Sequence, residues 1–214
     1  MRAFEFVAEL YRFKPRIWRR VIVPADIKLS RFGYIVMTLF EMKASHLFAV
    51  EHKVGKKIAR YEVDMGNDEW DSTHDAAKTF LGSLEIMPKS KVSVIYDFGD
   101  HWEISLVLEK TYNIPISMIA SLPRVLEGEG YGIVEDCGGR SGLVDLMKAF
   151  KAKSGDEYEE FCTWLGRRSF NFNKFSVSRA NERLKIIPEI YEQIYEDDVT
   201  ASEEECKYID AGTI

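Results

Sequence analysis

Period-two alternation through most of the first 110 residues, turn residues between the alternating runs, and a change to helical periodicity after about residue 140 predict an α+β fold. The sheet is expected to be mainly antiparallel, built from hairpins in the N-terminal two-thirds. Helices, including a C-terminal helical segment, should pack on it, because strands cluster before helices instead of alternating with them.

The first run, residues 3–13, puts Phe4, Phe6, Ala8 and Leu10 on one face and Glu5, Glu9 and Tyr11 on the other. After Lys14-Pro15-Arg16, residues 17–23 resume a β-rich pattern that stops at Pro24, so the two runs read as a hairpin. Phe32, Ile35, Val36, Leu39 and Phe40 then recur at helical spacing, with Ser30 as the expected N-cap and an end near Lys43. Residues 46–52 and 58–63 flank Val54-Gly55-Lys56-Lys57 and read as a second hairpin. Between Asp68 and Lys91 the pattern weakens, and a short helix over Ala76 to Leu81, stopped by Gly82, is expected.

A third hairpin follows in residues 91–109, with Gly99-Asp100 at its turn and Trp102, Ile104, Leu106 and Leu108 on one face. Residues 123–142 carry six glycines without sustained periodicity and read as a long ordered loop. Beyond it, Ser141 is expected to cap a helix bearing Leu143, Leu146, Met147 and Phe150; a second helix carries Tyr158, Phe161 and Leu165, and a third spans residues 176–187. Residues 1–195 are expected to form one domain, followed by an acidic tail, 196–214, that is frayed or partly helical.

Composition bounds the function. A chain of 214 residues that is 46% hydrophobic can build a core without covalent staples. Three cysteines with no CxxC pair argue against a secreted disulfide framework, and a cytoplasmic location is expected. No stretch approaches the length of a membrane span, and the start does not read as a leader peptide. With 35 acidic against 29 basic residues, the chain does not have the overall charge of a polyanion binder.

Two segments concentrate chemistry. Asp97, Asp100 and His101 sit around one hairpin turn beside Trp102, where carboxylates and an imidazole can serve a divalent ion or general-base chemistry, or simply satisfy a turn. Glu127, Glu129, Glu135, Asp136 and Cys137 lie in the glycine-rich stretch, which can fold back onto that turn or leave its acids in water. If the segments converge, Trp102 walls a pocket lined by carboxylates. Cys137 is the candidate exposed thiol, although neighbouring acids should raise its pKa and disfavour a nucleophilic role. Cys162 reads as a small buried hydrophobe.

The expected ligand-binding set is His46, Asp97, Asp100, Trp102, Glu129, Glu135, Asp136 and Cys137, with catalytic residues, cofactor and partner unassigned and no metal ligand assigned. The leading expectation is a binding or interaction module of unknown ligand. One alternative is a hydrolase in which Asp97, Asp100 and Glu129 hold a divalent cation and Glu135 acts as base. Another is a nucleic-acid-associated protein using Arg16, Arg19 and Arg20 around Trp18, together with Lys53, Lys56 and Lys57, as a basic strip, where the same residues can equally be the solvent face of edge strands.

Read in order, Pro15 to Val21 (Pro-x-Ile-Trp-Arg-Arg-Val), Ser45-His46-Leu47, Tyr96-Asp97-Phe98-Gly99-Asp100-x-Trp102-Glu103, Leu108-Glu109, Gly128-Glu129 and Glu135-Asp136-Cys137-Gly138-Gly139 resemble the plasmid pRiA4b ORF-3-like family. The resemblance runs from about residue 3 to about residue 184. It implies an α+β protein, some relatives being encoded near or within mobile elements, and assigns no biochemical function. Relatives have further His and Cys residues where this chain has Phe48, Ile104, Val125 and Gly132, none of which coordinates through its side chain. His46 and Cys137 remain from that set, and the acids still permit a hard-cation or polar-ligand site.

Overall fold

The computed structural model describes residues 1–63 and 73–210. Part of the weakly patterned segment after Asp68 and the last residues of the expected tail lie outside them. The chain runs β1 (Arg2–Leu10), β2 (Trp18–Pro24), α1 (Leu29–Leu39), β3 (Phe48–Val54), β4 (Lys57–Glu62), β5 (His74–Asp75), β6 (Lys91–Tyr96), β7 (Trp102–Asn113), α2 (Ile116–Ile119) and β8 (Arg124–Glu129). Five more helices follow: α3 (Gly139–Ala152), α4 (Asp156–Leu165), α5 (Val177–Arg183), α6 (Ile187–Glu196) and α7 (Glu203–Asp210).

The strands form one eight-stranded sheet in the order β5-β4-β3-β6-β7-β1-β2-β8. Every pairing is antiparallel except the two-residue parallel contact of β4 with β5. This is an α+β fold. The three expected hairpins are present as β1–β2, β3–β4 and β6–β7, each specified by alternation on both sides of a turn.

The core lies between the sheet and α1. Phe4, Phe6, Ala8 and Leu10 of β1 and Trp102, Ile104, Leu106 and Leu108 of β7 meet Phe32, Ile35 and Val36. Each such side chain contributes roughly 1.5–3 kcal/mol on burial. Helix α1 is buried almost all round because α6 covers its outer side, where Tyr34 stacks on Tyr195 with ring centroids 5.6 Å apart. Arg31 bonds Glu189 and Glu192 along the same seam, at 3.0 Å each. Tyr191 and Tyr195 also donate their hydroxyls to the carbonyls of Met42 and His46, fastening the connection between α1 and β3.

The other sheet face carries its own cover of ion pairs. Buried Glu5 accepts from Arg20, Lys110 and Tyr112, and Arg20 also bonds Glu109 and Glu127. The arginine half of the expected basic strip is therefore not a row of free solvent-facing charge: Arg20 is neutralised, Arg16 pairs with Glu9 at 2.8 Å, and Arg19 points inward and is fully buried, while Lys53, Lys56 and Lys57 stay exposed along the β3–β4 hairpin. Sequence spacing cannot reveal this, since the acids that consume the charge come from other strands.

Four expectations about elements need correction. Ser30 lies inside α1 with its hydroxyl buried and unpartnered; the N-cap position is Lys28, two residues earlier, and the helix runs from Leu29 to Leu39. Residues 76–81 make turns and a bridge from Phe80 to Lys28, with a 3₁₀ turn only at Leu81–Ser83. Helix α3 begins at Gly139, before Ser141. The fourth concerns the glycine-rich loop, whose first part is strand β8, paired with β2 from Trp18↔Glu129 to Ile22↔Arg124. Gly128 belongs to that strand because a Cβ there would come within 2.8 Å of the Arg19 side chain and 2.7 Å of Phe175. Its missing side chain makes room for a guanidinium, not for a turn. Helix α6, unforeseen, starts with Pro188 in its first turn, where the missing N–H costs nothing.

Candidate functional site

The expected site residues separate into a cluster, a core residue and an outlier. The turn joining β6 and β7 is shaped by Asp97, whose Oδ1 accepts from the backbone N–H groups of Gly99 (3.0 Å) and Asp100 (3.3 Å). Its Oδ2 lies 3.6 Å from His46 Nε2, which is also 3.3 Å from Asp136 Oδ1. The turn and the segment after β8 thus meet across His46. A second contact is backbone: a Cβ on Gly139, at φ +65°, would lie 2.9 Å from the Asp100 carbonyl, so only glycine allows this approach.

Glu135 is the best-held acid of the group. Its Oε1 accepts from the Lys43 N–H (2.6 Å) and the Tyr96 hydroxyl (2.5 Å), and its Oε2 from the Ser45 hydroxyl (2.5 Å). The residue is buried, and all three donors are neutral. The phenols of Tyr96 and Tyr195 are pushed well above the ordinary range, first by burial and then by the nearby Glu135 charge. Cys137 lies half-buried with Sγ 3.6 Å from the Gly139 carbonyl. Burial, reinforced by Asp100 and Asp136, pushes its thiol up to about 12, so it is not a reactive thiolate. The exposed thiol is Cys206.

Trp102 and Glu129 fall outside this group. Trp102 is 0% exposed and belongs to the core face of β7, so it walls no pocket. Glu129 ends β8 with its side chain in water, while its carbonyl accepts from Arg19. The proposed cation triad of Asp97, Asp100 and Glu129 is therefore not assembled. Among the described residues no group of three or more His, Cys, Asp or Glu side chains is placed to hold a metal.

The hollow beside the cluster opens on the other side of Glu135 and Asp136, and has a volume of about 530 Å³. One wall is the 131–136 segment, the second the 41–45 connection, the third the end of α4 with Trp164 and Arg167, and Asp210 of α7 reaches its edge. A main-chain bond ties the first wall to the start of the second, Ile133 N–H donating to the Phe40 carbonyl, and Tyr131 N–H ties the first wall to the loop after α4 through the Phe172 carbonyl. Arg19 fixes them from below, donating to the carbonyls of Leu39, Trp18, Glu129 and Tyr131 at 2.7–3.0 Å while lying over the rings of Phe175 and Phe40. Glu41, at the inner end, pairs with Arg183 at 3.1 Å. Burial raises the Glu41 pKa despite the opposing charges of Arg183 and Arg19.

Sequence reasoning missed Lys43, Trp164, Arg167 and Asp210. The 46% exposure of Trp164 on an amphipathic helix is the one signal that could have marked it, and it emerges only when the helix is docked. Helix α7 docks through Ile209 and the Lys43–Asp210 ion pair at 2.7 Å, after a capping box in which Ser202 and Glu205 bond reciprocally.

These features define an α+β protein with a polar hollow where the connection after α1, the segment after β8 and the helices α4 and α7 meet. The chain belongs to the plasmid pRiA4b ORF-3-like protein family, whose model matches residues 2–179. It is 27% identical over 173 residues to the uncharacterised protein y4hQ of Sinorhizobium fredii (strain NBRC 101917 / NGR234), covering 79% of this chain and 84% of that protein. It is also similar in fold to the protein of unknown function MM3350 from Methanosarcina mazei Go1, known from a crystal structure: TM-score 0.73 and 22% identity, over 83% of this chain and 95% of that one. Helix α6 and helix α7 lie beyond the family-matched residues. No helix among the described residues is long and apolar enough to cross a membrane.

Proposed function

We propose that the protein is a binding module whose ligand sits in the hollow bounded by Glu135–Asp136, the 41–45 connection and the end of α4. The observation that carries this reading is the combination of a volume of about 530 Å³ with a half-exposed tryptophan and convergent polar groups. Ligand sites of small organic molecules have that size and that mixture of apolar wall and few fixed polar groups. The pocket expected between the 97–102 turn and residues 127–137 is relocated by this reading: His46, Asp97 and Cys137 support the acidic segment from behind, and Glu135 and Asp136 face the ligand.

Among the described residues the groups beside the hollow suit binding more than nucleophilic chemistry. The thiol nearest the hollow is protonated at neutral pH, and Glu135 is tied to three donors, which suits it to positioning and electrostatics more than to proton transfer.

A thermal-shift screen of a metabolite library on the full chain, repeated on Trp164→Ala, tests the reading. Trp164 is exposed enough that the variant should fold. Hits that stabilise the native chain and fail on the variant are expected. A screen whose hits all survive Trp164→Ala, or one without hits, rejects the hollow as the binding site.

A further inference from the structure

We infer that the hollow takes an organic cation, an ammonium or guanidinium head on an apolar body, with the head facing Glu135 and Asp136 and the body against Trp164. This rests on the binding-module reading above and adds the chemical class of the ligand.

Among the described residues, four carboxylates and two cationic side chains border the hollow. Glu41 is answered by Arg183 from behind, and Asp210 by Lys43 at 2.7 Å. Arg167 is also engaged. That leaves the adjacent pair Glu135 and Asp136, whose partners among the described residues are three neutral donors and the His46 ring, respectively. Neither is paired with a lysine or arginine among the described residues. A carboxylate as buried as Glu135, at 8% exposure, is ordinarily matched by a cation, because burial removes the water that would otherwise solvate its charge. Here the neutral donors orient it and leave its field directed at the hollow.

Trp164 supplies the second, independent half. A half-exposed indole at the rim of a negatively biased hollow attracts a cation through its ring face and an apolar stem through its area. An anion would meet Lys43 and Arg167 only after displacing their existing partners, and would face the Glu135–Asp136 pair uncompensated. A neutral molecule would use the indole and none of the charge. The Lys43–Asp210 pair is the resident example of the favoured contact, an ammonium on a carboxylate at the edge of the same hollow.

Three probes that share a phenylethyl body and differ in head charge test this: 2-phenylethylamine, 2-phenylethanol and 3-phenylpropanoate, each titrated into the full chain at neutral pH and low salt, followed by tryptophan fluorescence and melting temperature. The amine is expected to bind saturably, to weaken about fivefold in Asp136→Asn, as loss of one exposed ion pair does, and to weaken further at high salt. Trp164→Ala should abolish the fluorescence response. Asp136 is solvent-exposed, so its amide variant leaves the fold intact, and an unchanged melting temperature of the free variant verifies this. If the alcohol or the carboxylate binds as well as the amine in a Trp164-dependent way, the cation assignment is wrong and the hollow stands as a site. If the amine does not bind, the cation assignment falls, and the library screen above then decides separately whether the hollow does.

Discussion

Replacing Arg19 with methionine should cost the protein about 2–5 kcal/mol, a large share of the ~5–15 kcal/mol that holds a domain of this kind together. The guanidinium is fully buried, and its donors reach four main-chain carbonyls. The bonds to Leu39 and Tyr131 lie in buried surroundings, and each carbonyl left unpartnered costs about 1–3 kcal/mol. The Trp18 and Glu129 carbonyls are partly solvated and add on the order of 1 kcal/mol together. Loss of the stack between Phe175 and Phe40 adds roughly 1 kcal/mol more. Against this, methionine no longer buries a charge, a relief worth a few kcal/mol. Urea unfolding at neutral pH, with the slope unchanged, measures the net. Hydrogen exchange at the Tyr131 and Ile133 amides, which brace the hollow, should quicken before the rest of the sheet. Arg19→Lys should recover less than half of the loss, since an ammonium cannot span four diverging acceptors. A methionine variant within about 1 kcal/mol of the parent would refute the account, because the carbonyls would then have found other partners.

Asn181 clamps the outer edge of β8, accepting from the Val125 N–H at 2.8 Å and donating to its carbonyl at 3.0 Å, so Asn181→Ala should lose about 1–2 kcal/mol in urea unfolding and deprotect the Val125 amide. Glu5 is 2% exposed; burial pushes its pKa up, but bonds from Tyr112, Arg20 and Lys110 outweigh that and hold it below the ordinary carboxylate value. Its contribution is therefore present at neutral pH and lost as pH falls through the lowered value, so the gap between the parent and Glu5→Gln, about 1–3 kcal/mol at neutral pH, should close on acidification. A gap constant with pH contradicts it. Iodoacetamide followed by mass spectrometry should label Cys206 first, and Cys137 only slowly, because a thiol held at about 12 is ionised to about one part in 10⁵ at neutral pH.

The legible parts of the fold were those whose cause is local. Alternation in β1, β2, β6 and β7 announces itself because one face of each strand is core, and the periodicity of α1, α3 and α4 does the same for helices. Strand β8 was hidden because two of its six residues are charged acids and one is a glycine whose purpose is Arg19, a residue more than a hundred positions away. Likewise the meeting of Asp97, His46 and Asp136 followed from residues conspicuous by type, whereas Trp164, Lys43 and Asp210 entered the hollow through the docking of α4 and α7.

Sequence alone determined the type of most elements, the three hairpins, the family and the acidic character of the segment ending in Cys137, because propensity, alternation and turn chemistry act over a few residues. Tertiary structure alone decided which charges are spent. Arg19 turned inward, Arg20 was surrounded by acids from three strands, Trp102 went to the core, and Glu135 was left facing a hollow with neutral partners. Burial and pairing are properties of neighbours distant in the chain, and they set the energy of a charge far more than its identity does.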